Sequence, residues 1–184
     1  MAQTLALPYI ESARFYPRVP ELFWKNQDRE MEAYNKVIYH LEHQATSDGV
    51  KRILDHQGAK FTGNLGTLAA TLNRVLDSAE YPSAHALLEF KDQGIDLPTA
   101  VALLHFYRPA FPFYREEAAK SLRGMGFTVQ FDRPLTEENV GHYEGYIAAI
   151  DFLKARIPFP YVPETNVFLS RLIEGALTGL ARSS

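Results

Sequence analysis

The sequence predicts an all-α fold, and three observations carry that prediction. Apolar residues recur at helical spacing through most of the chain, as in Leu22, Phe23, Met31, Tyr34, Val37, Ile38 and Leu41, with charged side chains on the other face. Residues able to accept backbone N–H bonds stand where such stripes begin: Thr46, Ser47 and Asp48 before Val50, and Thr136 before Glu137 and Glu138. The one segment that alternates like a strand, residues 127–131, has no obvious partner strand.

Taken in order, the first amphipathic stripe predicts a long helix over residues 20–44, and the second a helix over 48–57. The glycines at 58, 63 and 66 interrupt helicity, after which Leu68, Leu72, Val75 and Leu76 mark a third helix to about residue 78. Pro82 is placed to open a fourth, containing Ala86, Leu87, Leu88 and Phe90 and stopping at Gln93-Gly94. A fifth begins at Pro98-Thr99 and runs through Leu103, Leu104 and Phe106. Further helices are expected over 115–123, over 136–156 with Glu137 and Glu138 against its positive end, and over 163–180.

The chain has 184 residues, enough for one substantial core and short for two, so a single domain over 1–184 is expected. With 46% apolar and 12% aromatic residues the composition is that of a globular protein rather than a disordered one. The absence of cysteine rules out disulfides, thiolate metal sites and a cysteine nucleophile. No basic leader precedes an apolar run and no stretch approaches the roughly 20 apolar residues of a membrane span, so a cytoplasmic chain with no membrane partner is the expectation. A formal net charge of −3 argues against coating nucleic acid through bulk positive charge. It leaves room for a local basic surface such as Lys51, Arg52, Lys60 and Arg74.

Chemistry-bearing constellations are few. His40 and His43 stand three apart with Glu32 or Asp28 as oxygen donors, but no paired Glu-x-x-His set accompanies them and no metal or other cofactor is predicted. Glu138 and His142 are spaced for a helical ion pair. Residues 58–67 are glycine-rich and contain Lys60, yet lack the Gly-Lys-Ser/Thr of a nucleotide-binding loop. Aromatic and guanidinium groups interleave from Phe106 to Arg115 as they would on a base-stacking surface, although a proline-fixed loop laid on the core is the favoured reading of the same run.

The turn Gln93-Gly94-Ile95-Asp96-Leu97-Pro98-Thr99-Ala100, between two apolar helices, has the form of a helix-hairpin-helix. There a glycine lets backbone amides approach a phosphate and the second helix offers its N-terminus. Gly94, Ile95, Thr99 and Ala100 match the L-P-G-V-G-x-K-T-A hairpin of the helix-hairpin-helix DNA glycosylase superfamily, the group of endonuclease III and the adenine mismatch glycosylases, which this chain resembles. Upstream, the run from Leu41 to Asp48 is similar to the family's L-S-x-Q-A-T-D, and the run from Arg108 to Arg115 to its F-P-I-x-D. Leu122 and Gly126 then echo the family's helix end, so the resemblance covers residues 41–126.

The resemblance implies a trimmed glycosylase-like fold that binds double-stranded DNA, associated with the nucleoid and serving DNA repair. Gln44 would fill the gap left by a flipped nucleotide, with Thr46 as a further DNA contact. Lys51 and Arg52, with Gly94 and Thr99 of the hairpin, would hold the phosphate backbone, Tyr114 would lie with Gln44 near the extruded base, and Arg108 and Arg115 would add DNA contacts. The departures matter as much. Pro98 stands at the lyase lysine, so Schiff-base chemistry is excluded there, and Asp96 replaces the second hairpin glycine. One register puts Arg115 at the catalytic aspartate and the other puts Glu116, which would make the chain a monofunctional N-glycosidic hydrolase. The alternative is a noncatalytic interaction or assembly protein, including a homodimer, using Trp24, Tyr107 and Tyr114 as exposed aromatics.

Overall fold

The computed structural model describes residues 2–156 and 169–183, and among them every regular element is helical. The helices are α1 (Ala2–Phe15), α2 (Val19–Tyr39), α3 (Ser47–Gln57), α4 (Leu65–Ser78), α5 (Leu97–Tyr107), α6 (Glu116–Gly124), α7 (Glu137–Lys154) and α8 (Leu169–Arg182). Short 3-10 helices at Tyr16–Arg18 and His85–Phe90 complete the set. The first residues of the last predicted helix, 163–168, lie outside the described residues, as does the side chain of Trp24. No described helix is long and apolar enough to cross a membrane.

The starts of α3, α4, α5 and α7 follow the sequence closely, because each of these four has a side chain to accept an orphan amide. Thr46 accepts from Gly49 N, Asn64 from Thr67 N, Asp96 from Thr99 N and Thr136 from Asn139 N. α3 ends on Gly58, whose φ of 64° lets the chain turn out of the helix. Helix α1, not predicted, carries Pro8 in its interior and packs chiefly on the short helix that follows it.

One expected element is corrected. Residues 85–90 form a 3-10 helix, and Pro82 precedes it rather than opening it. Ala84, Leu87 and Phe90 are all fully buried, and a spacing of three matches the 3.0-residue turn, which lines these groups up over the core. Residues 127–131 form no strand although their burial does alternate. Here side chains take carbonyls that a ladder would use: Tyr114 Oη donates to Gln130 O at 2.9 Å and Arg123 Nη1 to Val129 O at 3.4 Å.

The centre of the fold is built by α5 and α8, each buried almost all round. α8 packs against α2, α6 and α7, while α5 packs against α3 and α4. The loop from α2 to α3 is tied to α4 by Asn73, whose Oδ1 accepts from Ala45 N at 2.9 Å and whose Nδ2 donates to Ala45 O at 3.0 Å. Asn73→Ala removes both bonds and is expected to lower stability by about 1–3 kcal/mol, read from the urea unfolding midpoint.

Candidate functional site

The turn at Gly94 is exposed, and its φ of 73° is a conformation glycine adopts without strain; an added Cβ would meet no atom within 4 Å. The amides at the start of α5 are, however, already occupied. Asp96 Oδ1 accepts from Thr99 N at 3.0 Å, Leu97 N donates to Arg133 O at 2.8 Å, and Arg133 Nε lies 3.0 Å from the other Asp96 oxygen. Asp96 thus supplies α5 with its own anion, and the element before the turn is 3-10 rather than α-helical. Thr99 is half-buried behind this cap.

Arg133 connects the turn to a pocket of about 470 Å³ at the start of α6, where it meets Arg115, Glu116, Glu117, Lys120, Arg123 and Phe131. Arg115 and Glu116, the two rivals for one position in the sequence, therefore face the same space. Arg115 is the N-cap of α6 and gives it no side-chain cap, so the positive end of the helix adds to the cations. Glu117 is 3.7 Å from Arg182, whereas Lys120 and Arg123 form no ion pair among the described residues. Phe131 forms an aromatic wall backed by Tyr114, ring centroids 4.8 Å apart.

Beneath this pocket lies a charged layer inside the core. Arg115 Nε reaches Glu174 Oε1 at 3.1 Å, and Arg171 Nη1 reaches Glu174 Oε2 at 3.5 Å. Glu174 is fully buried and Arg171 is 1% exposed. The Thr178 hydroxyl donates to the same carboxylate at 3.0 Å. Both guanidiniums also lie over the Phe113 ring, at 5.0 and 5.1 Å, and Arg171 lies 4.3 Å from the Tyr34 ring centroid.

His105 completes the layer. Its Nδ1 is 2.6 Å from Phe111 O, a partner that can only accept, so Nδ1 carries the proton and Nε2 receives the Tyr34 hydroxyl at 3.1 Å. Burial, aided by the Arg171 charge, lowers the His105 pKa to about 3 against the pull of the Phe111 carbonyl; Arg115 and His56 lower it further. Burial raises Tyr34 to about 12, partly offset by Arg171. The phenol keeps its proton and the imidazole stays neutral.

The remaining predicted residues are dispersed. Gln44 and Arg108 meet in a second pocket of about 280 Å³ with Asn73, Asp77 and Tyr107, where Arg108 Nη2 donates to Leu76 O. Thr46 is engaged as the α3 cap. Lys51 and Arg52 are neutralised along α3, at 2.5 Å from Asp55 and 2.8 Å from Asp48. Tyr114, expected at the surface, is buried: its hydroxyl donates to Gln130 O and accepts from Asp132 N. Tyr107 is half-buried. His142 pairs with Asp132 at 2.8 Å instead of Glu138, and no group of three metal-ligating residues exists among the described residues.

Sequence reasoning missed Tyr34, His105, Arg171 and Glu174. The signal for the last two was present: Arg171, Glu174 and Thr178 share one face of an otherwise apolar run, at spacings of three and four. A polar stripe on a helix this apolar points inward when the rest of the helix is buried too. No protein-family model matches the chain, and no curated protein or solved structure is significantly similar to it, so its function must be read from these residues themselves.

Proposed function

We propose that the chain binds DNA through phosphate contacts in the pocket at the start of α6. The observation that carries this reading is the convergence of Arg115, Lys120, Arg123 and Arg133 on one open space, two of them with no carboxylate partner among the described residues, beside the exposed turn at Gly94. Guanidiniums suit phosphate through paired N–H donors, and Arg115 is pre-oriented by its bond to Glu174, so less side-chain freedom is lost on binding. Phe131 adds a ring on which a base can stack. Asp96 opposes the field at the turn, and Arg133 neutralises it.

The test is a salt titration of duplex binding. Each neutralised phosphate releases counterions and contributes about −0.9 to the slope of log K against log salt. Lys120→Ala/Arg123→Ala should weaken binding at low salt and make the slope shallower by about 2, read by fluorescence anisotropy. A flat response in the unmodified chain, together with a dimer in light scattering, would favour the assembly reading instead.

Hydrolysis of an N-glycosidic bond is a second reading, favoured by Glu116 lining the same pocket. An exposed carboxylate there can stabilise an oxocarbenium-like sugar while water attacks. Glu116→Gln should then abolish base release from damaged duplex while leaving anisotropy unchanged. Equal base release by both proteins would remove Glu116 from the chemistry.

A further inference from the structure

A groove between α1 and α7 takes no part in the proposed DNA site. It encloses about 380 Å³, a size typical of small-ligand pockets, and none of its lining residues is charged. Tyr9, Phe127, Val129 and Phe152 form its walls. Gly145 and Ala148 keep it open along α7; a Cβ at Gly145 would meet no atom within 4 Å. Leu7 closes down on Gly126, whose φ of 89° and 2.9 Å clearance leave no room for a side chain.

One cation is held against this apolar wall. Arg156, one turn beyond Phe152, places its guanidinium carbon 3.4 Å from the Phe152 ring centroid and 4.7 Å from that of Tyr9. It donates to Phe152 O at 2.7 Å and to Tyr9 Oη at 3.1 Å. No carboxylate is among its partners in the described residues, and a guanidinium has five N–H donors. A concave hydrocarbon surface with a single oriented cation beside it is complementary to one apolar tail ending in one anionic head.

We propose that this groove binds a free single-chain alkyl carboxylate, its tail along Phe127, Val129 and Ala148 and its head on Arg156. The inference is independent of the DNA reading. It is tested by calorimetric titration of the full chain with octanoate, decanoate and dodecanoate below their micellar concentrations, and with decanol and decylamine. Each added methylene should tighten binding about four-fold until the groove is filled. Arg156→Gln should weaken decanoate about ten-fold and leave decanol unchanged. Ala148→Trp, at an exposed position, should abolish binding of both. Decylamine binding as tightly as decanoate, affinity independent of chain length, or full binding by Ala148→Trp would each overturn the proposal. So would a concentration-dependent dimer that Ala148→Trp dissolves while decanoate fails to bind the unmodified chain. Should Arg156→Gln fail to fold, the chain-length series and the decanoate-to-decylamine comparison still decide.

Discussion

Glu174→Leu is expected to be the most damaging single substitution in the core, lowering stability by about 3–5 kcal/mol. Two guanidiniums and a threonine hydroxyl point at this one fully buried carboxylate. Arg115, at 19% side-chain exposure, can swing toward the α6 pocket when its partner is lost, but Arg171, at 2%, cannot reach water without opening the helix interface. The cost is therefore mainly that of leaving the Arg171 charge in the interior with less compensation. Glu174→Gln keeps the shape and two polar positions and should cost less than leucine. Urea unfolding at neutral pH checks both, and a loss below about 1 kcal/mol for leucine would show that the carboxylate is not what holds the layer.

Acidification should expose the second large effect, through His105. In the unfolded chain this imidazole takes up a proton near 6.5, whereas in the fold burial and the neighbouring Arg171 hold it neutral down to about 3. Below pH 6.5 the unfolded state therefore binds the extra proton, and stability that is complete above that range is lost as pH falls. The slope from this one group is about 1.4 kcal/mol per pH unit, or roughly 2–3 kcal/mol between pH 6.5 and 4.5. His105→Gln keeps a donor for Phe111 O but cannot titrate. Its stability should fall with acid less steeply than the unmodified chain's by about one proton's worth. Parallel curves for the two proteins would mean that His105 is already protonated in the fold.

The helical architecture was legible because it is written locally. Thr46, Asp96 and Thr136 announce their helices through a side-chain oxygen and an amide three residues on, a relation that needs nothing from the rest of the chain. The segment 85–90 was misread because its Ala84, Leu87 and Phe90 spacing fits within an α-helical pattern, and only the requirement that all three enter one core selects the tighter turn. Arg115 and Glu116 were singled out from opposite registers of one resemblance. Their shared pocket with Lys120, Arg123 and Arg133 depends on where the loop after α6 returns. Tyr114 was read as exposed because an aromatic shortly after a proline in a loop carries no local sign of which way it faces; contacts with Tyr143 and Tyr146 of α7 turn it inward.

What the amino-acid order determined by itself was the helical class, most helix starts and the exclusion of cysteine chemistry, all of which depend on short-range periodicity and composition. Which charges face water was decided only by the tertiary structure. Lys51 and Arg52 lie exposed and neutralised along one helix, while Arg171 and Glu174, with the same three-to-four-residue spacing, sit in the centre of the molecule. The physical reason is that helical periodicity specifies a side chain's direction around its own axis. Whether that direction meets solvent or another helix is set by packing among elements distant in sequence.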